Sequence, residues 1–369
     1  MVKNELLNFN KTTMKLFEPY KLGKIALKNR MVMAPMTRSR AIGNIPNQLM
    51  AEYYRQRSGA GLIITEGTAP SANGLGYPRI PGIYNDAQIE GWKKVTDAVH
   101  AAGSKIFIQL MHTGRVSHPE NMEPGATIVA PSAIALQDQM WTDSKGMQPY
   151  PVPKAMSTAD IQQAQQEFTD AAKNAIKAGF DGVEIHGANG YLVDQFINPA
   201  SNQRNDNYGG SIANRSRFAI ETARRVADAI GSDRTAIRLS PYGVFNGTIV
   251  FDDVEETYLY LAGELGKLKL AYVHIVDHAS MGAPPVTETV KTGIRKAFGG
   301  VIIGSGGLDK TAAETLLTEG KAELAAFGRN YLSNPDLDHR FANNLPLQEP
   351  DFSTFYTPGE KGYTDYPFA

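Results

Sequence analysis

TADIQQAQQEFTDAAKNAIKAGFDGVEIHG, residues 158–187, contains one whole unit of the fold. Ile161, Ala164, Phe168, Ala172 and Ala175 recur three or four positions apart, which places them on one helical face. Ser157 stands in front with Asp160 at capping-box spacing, although that box favours Glu or Gln. Gly179 is placed to end the helix. Gly182–Gly187 (GVEIHG) then reads as a short strand bounded by glycines.

The same alternation extends in both directions. Arg30–Pro35 (RMVMAP), Gly61–Glu66 (GLIITE) and Lys105–Leu110 (KIFIQL) precede this unit. Ala236–Ser240 (AIRLS), Tyr272–Asp277 (YVHIVD), Val301–Gly306 (VIIGSG) and Leu324–Arg329 (LAAFGR) follow it. Near-continuous apolar runs suit parallel strands covered on both faces. Ser211–Ile230 repeats the helical pattern through Ile212, Ala219, Ala223, Val226 and Ile230, and stops at Gly231. Eight such units predict an α/β fold, a (β/α)8 TIM barrel, with an open doubly wound sheet as the alternative. The proline-rich segment Met111–Ser157, after the third strand, is a long insertion expected to cap the C-terminal face. The aromatic tail from Phe352 is expected to dock. One domain is expected over 16–369, preceded by an N-terminal extension, 1–15.

Composition narrows the function classes. The 369 residues are 42% hydrophobic and 20% charged, enough for a large core, and the formal net charge is −1. That balance gives no reason to expect nucleic acid or a membrane surface as partner. With no cysteine, a disulfide framework, a cysteine nucleophile, a thiolate zinc site and a cysteine-ligated iron–sulfur cluster are excluded. No metal is expected. Met1–Lys15 is polar and lacks a signal-like apolar stretch, so a cytoplasmic location is the expectation.

Barrels carry their chemistry at the C-terminal strand ends. Gly304-Ser305-Gly306-Gly307 and Gly328-Arg329 close the last two strands, where bare backbone N–H groups and an arginine suit a phosphate. No Gly-x-Gly-x-x-Gly opens a helix, which disfavours a tightly held dinucleotide. No strand end carries a lysine for Schiff-base chemistry. Arg238 would aim a permanent charge over the barrel and needs an anionic partner, either a reduced flavin or a salt bridge to Glu66 or Asp277. Gln109 can donate and accept together, as a flavin pyrimidine edge requires. His186 and Asn189, on the turn after the fourth strand, can donate to one substrate oxygen. Tyr191 offers an acid beside them.

At these residues the chain resembles the Old Yellow Enzyme family, particularly its bacterial N-ethylmaleimide, nitrate-ester and 2-cyclohexenone reductases. The resemblance runs from LFEPYKLGKIALKNRMVMAPMTR at Leu16 to GYTDYPFA at the end. It includes AEYYRQR (Ala51–Arg57), QLMHTGR (Gln109–Arg115), HGANGYLVDQFINPASNQRNDNYGGSIANR (His186–Arg215), LSP (Leu239–Pro241) and FGRNYLSNPDL (Phe327–Leu337). It implies non-covalent FMN, with NADPH or NADH as reductant and a small α,β-unsaturated carbonyl or nitro substrate. Ala34, Pro35, Met36 and Thr37 would line the flavin, with Gly67 and Gln109 against its ring and Arg238 at its N1 side. Gly306, Gly307, Gly328 and Arg329 would hold the phosphate. His186 and Asn189 would bind the substrate oxygen while Tyr191 protonates the α-carbon. Tyr77, Met111 and Tyr356 are the expected pocket residues, Met111 standing where several relatives carry tryptophan. The expected oligomeric state is monomer or homodimer. Two other readings are a phosphate-substrate barrel isomerase or lyase and a non-catalytic flavin redox sensor.

Overall fold

Eight parallel strands close on themselves in the computed structural model, which describes residues 14–369. They are β1 (Met31–Met33), β2 (Leu62–Thr68), β3 (Lys105–Leu110) and β4 (Gly182–Gly187), then β5 (Thr235–Leu239), β6 (Val273–Val276), β7 (Ile302–Ser305) and β8 (Leu324–Phe327). Each pairs with its successor, and β8 meets β1 through Phe327 and Met33. The sheet is therefore a closed barrel and not the open alternative. Residues 1–13, most of the extension expected over 1–15, lie outside the described residues.

The strands are mainly apolar because both faces are covered. Along β4, Val183 and Ile185 belong to the same core as Ile161 and Phe168 of the helix Thr158–Lys177. The barrel lumen is filled by Val32, Ile64, Phe107, Ala236, Tyr272 and Leu324, so it is packed and not a pore. Both halves of the capping box form: the Asp160 N–H donates to Ser157 Oγ (3.1 Å) and the Ser157 N–H to Asp160 Oδ2 (2.8 Å). Aspartate is long enough here despite the usual preference for glutamate. Gly179 follows the helix at φ 90°, as its position predicts.

Strand ends differ from the expected bounds for local reasons. β8 stops at Phe327 because Gly328, at φ −96° and ψ −88°, turns the chain into the short helix Arg329–Ser333. β2 continues past Glu66 to Thr68, with a register shift between Ile64 and Gly67. At this shift Glu66 accepts from the Arg38 N–H (3.1 Å) and from the Tyr54 hydroxyl.

Two segments converge on the C-terminal mouth. The insertion contributes Val116, Leu136 and Met140, which pack with Tyr77, Tyr150 and Tyr191. It also carries a hairpin, Gln139–Thr142 with Gly146–Pro149. The aromatic tail docks through three buried arginines. Arg38 donates to the Gly362 carbonyl (2.7 Å), Arg40 to that of Thr354 (2.8 Å) and Arg57 to that of Tyr363 (3.3 Å). Tyr363 stacks on Tyr53 at 4.0 Å.

Candidate active site

Register decides which side chains meet at the mouth. In a strand, alternate residues share a face, so Glu184 and His186 of β4 both face away from the helix-packed Val183 and Ile185. Gln109 pairs with Glu184 and Arg238 with both His186 and His274. The result is a polar layer above the apolar lumen. Gln109 Nε2 donates to Glu184 Oε1 (2.8 Å), and His274 Nδ1 lies 2.9 Å from Glu184 Oε2. Burial alone would raise the Glu184 pKa. His274, Arg238 and Gln109 outweigh burial and hold its carboxyl below the ordinary range. An ionised Glu184 makes His274 Nδ1 the donor, and its Nε2 lies 3.0 Å from Ser305 Oγ.

Arg238 has neither of the salt-bridge partners considered from sequence. Glu66 is engaged by Arg38 and Tyr54, and Asp277 pairs with Lys291 at 2.9 Å. Burial lowers the Arg238 pKa, while Glu184 is the main group favouring its charge. Its Nε and the Nδ1 of His186 are buried without a hydrogen-bond partner among the described residues. Burial, and then the Arg238 charge, hold His186 well below its usual pKa, so the ring is neutral.

The turn after β4 brings the remaining groups together. Asn189 takes a left-handed backbone (φ 62°), which asparagine tolerates. Its Oδ1 lies 2.6 Å from His278 Nε2. Tyr191 packs edge-on against His186 (4.9 Å between ring centroids), and its hydroxyl donates to Tyr77 at 3.1 Å. Burial raises the Tyr191 pKa, keeping the phenol protonated, whereas Tyr77 and Arg238 both ease its ionisation. Tyr356 is largely exposed on the tail, yet near enough to Tyr77 and Tyr191 to oppose ionisation of either.

The residues expected against a flavin lie along one arc of the rim. Ala34 donates to the Phe327 carbonyl, and Met36 packs beside Gly328, joining the ends of β1 and β8. Pro35 and Thr37 are half-buried next to them. A Cβ on Gly67 would come within 2.5 Å of Met111 Sδ and 3.1 Å of its Cβ, so the absent side chain makes room for Met111. Gly306 (φ 132°) and Gly307 (φ 71°) follow β7 in conformations that glycine favours. The backbone N–H groups of Gly306, Gly307, Gly328 and Arg329 donate to no oxygen among the described residues. Bare amides, the exposed Arg329 and the unpaired Arg238 Nε together form a donor set that fits a flavin and its phosphate.

Sequence reasoning missed Glu184, His274 and Tyr150. The first two were recoverable, because once His186 faces inward, period two puts Glu184 on the same side. Tyr150 gave no signal, since it reaches Tyr191 only through the path of the insertion.

A family model described as the NADH:flavin oxidoreductase / NADH oxidase family matches residues 15–348. Chanoclavine-I aldehyde reductase of Penicillium roqueforti is 43% identical over 96% of this chain and 96% of its own. Among solved structures, morphinone reductase in complex with tetrahydroNAD superposes with a TM-score of 0.91 at 42% identity, covering 96% of this chain and 97% of that one. The Old Yellow Enzyme homologue from Zymomonas mobilis gives a TM-score of 0.92 at 41% identity, over 96% and 99%.

Proposed function

The chain belongs to the NADH:flavin oxidoreductase / NADH oxidase family, and from that premise we propose that it is an ene-reductase acting on small activated alkenes. The substrates are enones, enals, maleimides and nitroalkenes, and the reductant is NADPH or NADH. The observation that carries this reading is the meeting of neutral His186, Asn189 and the hydroxyl of Tyr191 on one rim, beside the polar layer of Gln109 and Arg238.

FMN, bound without a covalent bond and reduced by the nicotinamide, would supply hydride chemistry to the alkene. Gln109, fixed by Glu184, and Arg238 would bind the ring. Thr37 would line it, and the glycines after β7 and β8 would take the phosphate with Arg329. His186 and Asn189 hold the carbonyl or nitro oxygen, which draws electron density away from the β-carbon. Losing one such donor costs about 3–4 kcal/mol of barrier in comparable sites. Tyr191 gives its proton to the α-carbon. The phenolate left behind is supported by the hydroxyl of Tyr77 and the charge of Arg238. Tyr77, Met111 and Tyr356 wall the space above.

The test is an absorbance spectrum of the purified protein, followed by anaerobic NADPH and then 2-cyclohexenone. Flavin bands bleached by the nicotinamide and restored by the enone are expected. A protein that bleaches but is not restored by any activated alkene would instead be a redox sensor.

A further inference from the structure

Asn189 is pinned on three sides. Its N–H donates to Ser240 Oγ (2.9 Å), its carbonyl accepts from Asn246 Nδ2 (2.7 Å), and its side-chain Oδ1 meets His278 Nε2 at 2.6 Å. His278 follows β6, two strands from β4, and sits edge-on against Phe245 at 4.6 Å. Burial, then the Arg238 charge, lower the His278 pKa to about 4, so near neutrality the ring carries one proton.

An amide offers one acceptor atom and one donor group. If Nε2 of His278 carries the proton, Oδ1 of Asn189 is occupied and only Nδ2–H remains for the site. If the amide turned over, its oxygen would face the substrate oxygen and repel it. The left-handed turn fixes where Asn189 stands, but it does not fix which end of the amide points to the substrate. His278 is the one side chain at hydrogen-bond distance from Oδ1 among the described residues.

We propose that His278 is a positioning residue that fixes the polarity of the Asn189 amide, so that the site admits only ligands whose anchoring atom accepts hydrogen bonds. Carbonyl, nitro and phenolate oxygens meet that requirement, and an anchoring hydroxyl or amine that must donate does not. This rests on the reading of His186 and Asn189 as the oxygen clamp.

The experiment uses the FMN-loaded full-length protein and phenol, titrated by its effect on flavin absorbance at a pH high enough to populate phenolate. His278→Ala should weaken phenolate binding about tenfold, the upper range for one lost hydrogen bond, and raise KM for 2-cyclohexenone, with flavin content unchanged. His278→Gln, which can still donate to Oδ1, should recover affinity to within about threefold of wild type. In the Asn189→Ala background, His278→Ala should weaken binding no further. Wild-type affinity in His278→Ala would overturn the proposal. So would equal losses in the Ala and Gln variants, or additive losses in the double variant, because each outcome assigns His278 to packing against Phe245. A wild-type protein that binds FMN but not phenolate would refute the clamp itself and this proposal with it. Failure of the His278 variants alone would leave the clamp standing.

Discussion

Gln109 and Glu184 face each other across neighbouring barrel strands, register partners joined by a 2.8 Å hydrogen bond. Glu184 is fully buried and also holds His274, so one carboxylate fixes a candidate flavin contact and balances Arg238. Glu184→Gln would remove that negative charge while roughly keeping the shape. With Arg238 less compensated, the bound flavin should become easier to reduce, by roughly 30 mV or more, a tenfold change in the two-electron equilibrium. Redox titration of the loaded variant measures this. An unchanged potential would mean that Glu184 serves packing alone.

Tyr191→Phe removes the hydroxyl that Tyr77 supports while leaving ring packing against His186 intact. Alkene reduction should slow by about 10²–10⁴-fold, the usual range for a lost general acid. Reduction of the flavin by NADPH should change little. Stopped-flow measurement of the two half-reactions separates them, and equal slowing of both would assign Tyr191 a structural role.

What could be read from the sequence follows the range of the interactions. The barrel was legible because each strand carries its own apolar run and each helix its own stop, as at Gly179 and Gly231. His186, Asn189 and Tyr191 were legible because one turn presents all three. Glu184 and His274 were hidden inside runs read as apolar strand, where a single polar residue changes little in the pattern. The tail clamp was illegible for another reason. Arg38, Arg40 and Arg57 donate to carbonyls some 300 positions away, and a carbonyl has no residue identity to recognise. The cause of the shorter β8 was visible at Gly328, but glycine was read there only as phosphate-binding.

Arg79 joins three segments around the mouth. Its Nε donates to the Ser39 carbonyl (2.9 Å) and its Nη2 to that of Tyr356 (2.7 Å), while Nη1 pairs with Asp143 at the hairpin turn. Arg79→Ala should therefore loosen the tail and the hairpin together, at a cost of about 2 kcal/mol for the lost contacts. Asp143→Asn removes only a half-exposed ion pair, worth no more than about 1 kcal/mol, and should loosen the hairpin alone. Hydrogen exchange over residues 139–149 and 354–363 distinguishes the two. A tail that exchanges at the wild-type rate in Arg79→Ala would remove Arg79 from the junction.

The histidines set an acid limit on stability. Burial lowers the pKa of His112 to about 3 and of His278 to about 4, and also depresses His186 and His274. All four hold a proton less readily in the fold than in the unfolded chain, where they bind protons near pH 6.5. Their contribution is present above that pH and is lost as the pH falls towards the folded values. Glu66 and Asp194 act in the opposite sense. Burial raises them to about 7 and about 6, so the fold binds their protons first and gains relative stability as the pH falls. Between pH 6.5 and 4.5 the depressed histidines favour the unfolded chain and the two raised carboxyls favour the fold. Each proton of imbalance changes stability by roughly 1.4 kcal/mol per pH unit. His112→Asn keeps an acceptor for the Gly114 N–H, which His112 Nδ1 now takes at 3.1 Å, but does not titrate. It should remove up to one proton's share of the slope, roughly 1.4 kcal/mol per pH unit. Urea unfolding at pH 6.5, 5.5 and 4.5 measures both slopes. If wild type and variant fall in parallel, His112 is protonated in the folded protein.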